Sequence, residues 1–170
     1  GDAGWRLGVN TSAMKYKLIS PEYEGLNARG PSNSTGLDLT MPLSRSRVQN
    51  TSLQLSYDKK SFRNETDIEK ISDYKTDVLT AYLESNVIDV ERARETALSA
   101  QWVSGNVDLS NSPNQVRDAS TTQTAGHFNK MKLAATLKQN FGPTNTFVAS
   151  GQAQYADKNL DGSEKMYLGG

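Results

Sequence analysis

Seven times along 170 residues, apolar and polar side chains alternate with a period of two, and the stretches between them alternate in length. Successive side chains of a strand point to opposite faces, so the pattern describes strands with one apolar and one wet side. The first segment, Trp5 to Leu18, sets Trp5, Leu7, Val9 and Ala13 against Arg6, Gly8, Asn10 and Ser12. The second sets Leu37, Leu39, Met41 and Leu43 against Asp38 and Thr40, and the third Leu53, Leu55 and Tyr57 against Gln54, Ser56 and Asp58. A fourth, about Tyr74 to Glu84, fits two phases: Leu79, Ala81 and Leu83, or Val78, Thr80 and Tyr82. The fifth has Leu98, Ala100 and Trp102 opposite Ser99 and Gln101. The sixth has Met131, Leu133, Ala135 and Leu137 opposite Lys130, Lys132, Thr136 and Lys138. The seventh has Phe147, Ala149, Gly151, Ala153 and Tyr155 opposite Ser150, Gln152 and Gln154.

Long polar stretches, Ser20–Asn33, Ser61–Ser72 and Gly105–Ala125, follow the odd segments. Short ones, Ser44–Val48, Asn86–Glu91 and Gln139–Asn145, follow the even ones. Tight turns at one end and long loops at the other is the arrangement of outer-membrane barrels, with the long loops outside the cell. Composition agrees: only 35% of residues are hydrophobic and mean hydropathy is −0.65, too polar for an ordinary globular core. A transmembrane strand needs only about 9–11 residues that are apolar on one face. The fold expected is therefore all-β: an antiparallel up-and-down segment of a transmembrane barrel, in about seven strands. The phase shift near Met14 and Lys15, where Tyr16 and Leu18 become the apolar pair, reads as a bulge or as the strand leaving the membrane. Charges at helical spacing over Ile68–Tyr74 and Val87–Ala97 allow a short helix in a loop or turn.

Facing follows from the phase. Leu37, Leu39, Leu53, Leu55, Leu133, Leu137, Phe147 and Tyr155 are expected to meet lipid. Asp38, Gln54, Lys132, Gln152 and Gln154 are expected to face a wet interior. Register is pinned because a one-residue slip would put the charged set into hydrocarbon.

Other chemistry is sparse. Nineteen basic and nineteen acidic residues cancel, so no nucleic-acid footprint is expected. The absence of cysteine removes disulfides and thiol nucleophiles, and a single histidine, His127, gives a metal cage or a Ser-His-Asp triad little to build on. Asp157, Asn159, Asp161 and Gly162 match the opening of a calcium loop, but Lys165 and Leu168 stand at the ninth and twelfth positions, where ligands belong. A polar turn is the better reading there. No phosphate loop or acid–base constellation emerges, so neither an enzyme nor a cofactor is expected.

Two stretches carry a more specific signal. One is Leu39 to Arg47, LTMPLSRSR, in which Pro42 closes a strand and Arg45, Ser46 and Arg47 form a short turn. The other is Gln152 to Gly170, QAQYADKNLDGSEKMYLGG, ending on Leu168, Gly169 and Gly170. Together they resemble the two-partner secretion outer-membrane transporters of the ShlB, FhaC and HecB type, within the Omp85 superfamily. The resemblance implies a fragment of a larger, sixteen-stranded barrel, residues 1–170 being its fifth to eleventh strands. Two periplasmic POTRA domains, a plug helix, the remaining strands and a Val-Arg-Gly-Tyr-like loop tip would lie outside it. It further implies a pore that takes an unfolded exoprotein partner from the periplasm across the outer membrane without ATP, in contact with outer-membrane lipid. By the same resemblance, Leu168, Gly169 and Gly170 would open the loop that folds back into the lumen. Pro42, Arg45, Ser46 and Arg47 would form a periplasmic turn meeting the preceding domains or lipid headgroups. An Omp85-type assembly factor and a soluble β-rich binding or adhesion domain remain as alternatives.

Overall fold

The computed structural model describes residues 4–17, 27–160 and 164–166. Seven strands form one antiparallel sheet in chain order: β1 (Arg6–Lys17), β2 (Arg29–Arg45), β3 (Gln49–Glu65), β4 (Lys70–Asp89), β5 (Arg94–Asp108), β6 (Gly126–Phe141) and β7 (Asn145–Ala156). Each strand pairs only with its sequence neighbours, so the topology is the expected meander.

Register settles the facing. One unbroken row of cross-strand partners reads Leu7, Leu39, Leu55, Ala81, Trp102, Met131 and Tyr155. The adjacent row on the opposite face reads Arg6, Thr40, Gln54, Tyr82, Gln101, Lys132 and Gln154. All eight residues expected on the apolar face share the first parity, and all five expected on the polar face share the second. The ambiguous fourth segment resolves the same way: Leu79, Ala81 and Leu83 lie on the apolar face, and Val78, Thr80 and Tyr82 on the other.

The apolar band also slides across the sheet. One row nearer the long loops it runs Val9, Leu37, Tyr57, Leu79 and then gives way to Ser104 and Asn129. Toward the turns the order reverses, with Thr51 and Ser85 leading into Leu98 and Ala135. A band that steps toward the turns from β1 to β7 is what strands tilted by about 35–45° require if the band is to stay level. Where hydroxyls do fall on the apolar face they satisfy each other: Thr51 and Ser85 are hydrogen-bonded at 2.9 Å. At its loop-side margin Tyr57 keeps its ring in the band and donates its hydroxyl to Asp77 at 3.1 Å, the arrangement of an interfacial aromatic.

Three expectations need correction. Ser61–Ser72 is not a long loop: β3 and β4 stay paired as far as Glu65 and Lys70, and residues 66–69 close a tight turn, with Thr66 N–H donating to Glu69 O at 2.8 Å. These strand ends carry no regular alternation, with Phe62, Ile71 and Tyr74 isolated among polar residues, so the pattern could not reveal them. Backbone pairing, the stack of Phe62 on Tyr74 at 4.9 Å and the Asn64–Ser72 bond hold them instead. Ile68–Tyr74 and Val87–Ala97 are strands and turns, not helix; the short helix α1 (Gln115–Ser120) lies in the long β5–β6 connection. Finally, β1 has no bulge near Met14, since its register runs without a break from Arg6–Thr40 to Lys17–Arg29. Tyr16 simply belongs to the polar face, where its hydroxyl donates to Asn64 at 2.7 Å.

Candidate functional site: the polar face and the chain that crosses it

The polar face is not polar throughout. At the loop end of β4, β5 and β6 its parity carries Val78, Val103, Val107 and Phe128, each no more than 4% exposed. They form a cluster with Leu160, from the chain that follows β7. Gly105 makes room for it, because a Cβ there would lie 2.5 Å from two ring carbons of Phe128. Leaving β7, therefore, the chain turns over the polar face and buries Leu160 against it. The apolar face stays open, with Leu7, Leu37, Leu98, Phe147 and Tyr155 all exposed. This sidedness identifies the polar face as the inner one.

The crossing chain is fixed by polar contacts as well. Both carboxylate oxygens of Asp157 accept from Asn129, one from its backbone N–H and one from its side-chain amide, each at 2.9 Å. Asp157, the first position of the calcium-loop match, is thus occupied by a turn. Lys158 donates to Ala125 O, and Asn159 to Thr122 O at 3.0 Å. Further on, Glu164 is buried and ion-paired with Lys130 of β6, while Lys60 of β3 stands 4.0 Å from its other oxygen.

Ala125 and Thr122 are themselves held by Asp118 of α1. Burial alone would push the Asp118 carboxyl up, but hydrogen bonds from Thr122 and Thr124 hydroxyls and from the Ala125 and Thr124 N–H groups outweigh it and hold it well below the usual carboxylate range. A depressed folded-state pKa stabilises above the unfolded value, about 3.9, and loses that contribution as pH falls through the folded one. Asp118→Asn should therefore loosen this loop at neutral pH. Amide exchange of Thr124 and Ala125 should quicken at least tenfold, for a lost charged hydrogen bond of about 1.5–3 kcal/mol. The gap from the parent should close in strong acid, below the range in which Asp118 is ionised.

Of the residues singled out in the sequence, Pro42, Arg45, Ser46 and Arg47 are all described. Pro42 pairs with Ser52 next to a bulge, after which Ser44 opposes Thr51 and Arg45 opposes Asn50. Without the extra residue Arg45 would fall on the apolar face; the bulge re-aims it inward, beside Arg6 and Glu84 in a polar hollow. Ser46 builds the turn, its hydroxyl accepting from Gln49 N–H at 2.9 Å and its own N–H donating to Gln49 O at 2.8 Å. Leu168, Gly169 and Gly170 lie outside the described residues. Lys130 was legible only as a polar-phase residue of β6, and Glu164, Leu160 and Asp118 were not singled out at all. The available signal was the cluster of apolar residues, Val78, Val103, Val107 and Phe128, on an otherwise polar parity.

A family model for the haemolysin secretion/activation protein ShlB/FhaC/HecB matches residues 3–170, nearly the whole chain. The chain belongs to this family. Its members are outer-membrane β-barrel transporters of two-partner secretion, within the Omp85 superfamily, and the chain is accordingly an outer-membrane protein of a Gram-negative bacterium. Family membership decides against the soluble adhesion domain and the assembly factor. No curated protein matches the sequence significantly. Among solved structures, CdiB from Escherichia coli superposes with a TM-score of 0.74 at 17% identity, over 98% of this chain and 31% of that one. The fold is thus that of a barrel segment, spanning about a third of the CdiB chain.

Proposed function

We propose that residues 1–170 are part of the wall of a sixteen-stranded pore through which an exoprotein partner, taken unfolded from the periplasm, crosses the outer membrane without ATP. POTRA domains, a plug helix, further strands and a loop tip would complete the transporter. The observation that carries this reading is the contrast of faces. Below the Phe128 cluster the inner face presents Arg6, Gln54, Gln101, Lys132 and Gln154 in one row, while the neighbouring outer row is nearly all apolar. Such a surface offers an extended polypeptide transient hydrogen bonds, as donor and as acceptor, without a deep trap.

A photo-crosslinking residue in the full-length transporter tests it. Placed at Gln101 it should capture the exoprotein during secretion, and placed next door at Trp102 it should not. Equal capture at both positions, or at neither, would count against passage along this wall.

Two further roles are part of the proposal. Gly169 and Gly170, later in the chain than the turn that buries Leu160, would allow the close backbone approach a loop folded into the lumen needs, so Gly169→Val with Gly170→Val should leave insertion intact and reduce release. Arg47 would meet the periplasmic domains or headgroups at the turn, and Arg45, turned inward by the bulge, the periplasmic domains. Reversing both to Glu should slow insertion or release, and unchanged values for both would refute that contact.

A further inference from the structure

Among the described residues, one ion pair is buried on both sides: Lys130, 5% exposed, with Glu164, 6% exposed. Lys130 Nζ donates to the Glu164 carboxylate and also to the Glu164 backbone oxygen at 3.0 Å, so it holds both the side chain and the main chain of the crossing segment. Lys60, 4.0 Å from the second carboxylate oxygen, extends the site to β3, three strands from β6. Val103, directly opposite Lys130 in the register, stands beside the pair in the Leu160 cluster and is 3% exposed.

Desolvating two charges is costly, and apolar contact alone would hold a chain here more cheaply. What apolar contact does not supply is position. Leu160 can pack against Val78, Val103, Val107 or Phe128 in many registers, because hydrophobic attraction is non-directional. An ammonium bonded at once to a carboxylate and to the same residue's carbonyl admits one register.

We propose that Lys130 and Glu164 form a positioning latch that fixes where the chain following β7 lies across the inside of the wall. The apolar cluster supplies the adhesion, and the pair supplies the register. This rests on the reading of the inner face as a pore lining, since only there does the placement of a crossing segment set how much of the lumen is open.

The test uses the full-length transporter, cysteine-free apart from Val103→Cys as a reporter beside the latch, where the crossing segment covers it. With the native pair, a water-soluble maleimide should label the reporter thiol slowly. Lys130→Met and Glu164→Gln should each raise that rate at least tenfold, while heat-modifiable mobility reports an intact barrel. Lys130→Arg, which keeps a cation with donors for both the carboxylate and the carbonyl, should keep labelling slow. Unchanged labelling in either Lys130→Met or Glu164→Gln, or a Lys130→Arg variant that labels as fast as they do, would overturn the latch. Should one of the two loss variants fail to fold, the other decides: labelling faster than in Lys130→Arg supports the proposal, and equal labelling overturns it. Exoprotein release, measured in parallel, separates the two readings. Lost protection with undiminished release would keep the latch and count against the crossing segment's part in secretion.

Discussion

Leu55→Arg should cost the full-length barrel about 2–4 kcal/mol, whereas Gln54→Arg, one residue away, should stay within about 0.5 kcal/mol. Leu55 sits in the apolar row between Leu39 and Ala81, so a guanidinium there enters hydrocarbon with no partner in reach. Gln54 occupies the inner row between Thr40 and Tyr82, where water and neighbouring polar groups accept the charge. Urea titration of vesicle-folded protein, followed by tryptophan fluorescence, measures both. Similar losses at the two positions would mean that the faces are not distinguished by their solvent.

The second large effect is expected at the loop end. Phe128→Ala should destabilise by about 3–5 kcal/mol, the range for removing a buried aromatic from a packed cluster. Gly105→Ala should cost about 1–3 kcal/mol by overpacking, since the new methyl would meet the Phe128 ring at 2.5 Å and Asp77 O at 3.3 Å. The two changes should couple. With the ring gone, the methyl added at Gly105 occupies vacated space, so the double variant should lose less than the sum by at least about 0.5 kcal/mol. Strict additivity would mean that the ring does not rest on Gly105.

These two experiments probe features of very different legibility. The apolar face could be read residue by residue, because lipid on one side and water on the other impose alternation on every strand that crosses. That reading extended to Leu137 and Phe147 near the turns. It broke down where the solvent contrast ends. The paired ends of β3 and β4 beyond Lys60 and Thr76 lie past the apolar band, and nothing there forces a period of two. The inner cluster was hidden for a related reason. Val78 made β4 ambiguous because its inner face is dry at that point, covered by Leu160 from a distant part of the sequence. Alternation reports the medium on each face of a strand, and it cannot report that another part of the same chain is that medium. For Pro42 to Arg47 the residues were recognisable, but the bulge that turns Arg45 inward was not. A bulge inserts one residue into the pairing without leaving a mark on composition.

The central claim is that one sheet separates lipid from water. A cysteine scan of β5 in lipid vesicles tests it most directly, with single replacements at Ala97, Leu98, Ser99, Ala100, Gln101 and Trp102 of the full-length transporter. Each is read twice, by a water-soluble maleimide and by quenching from nitroxide-labelled lipid. Positions 97, 99 and 101 should react from water and escape quenching; positions 98, 100 and 102 should do the reverse. A scan without this alternation, or one in which 98, 100 and 102 are shielded from both reagents, would place the apolar face in a dry protein interior and contradict the account.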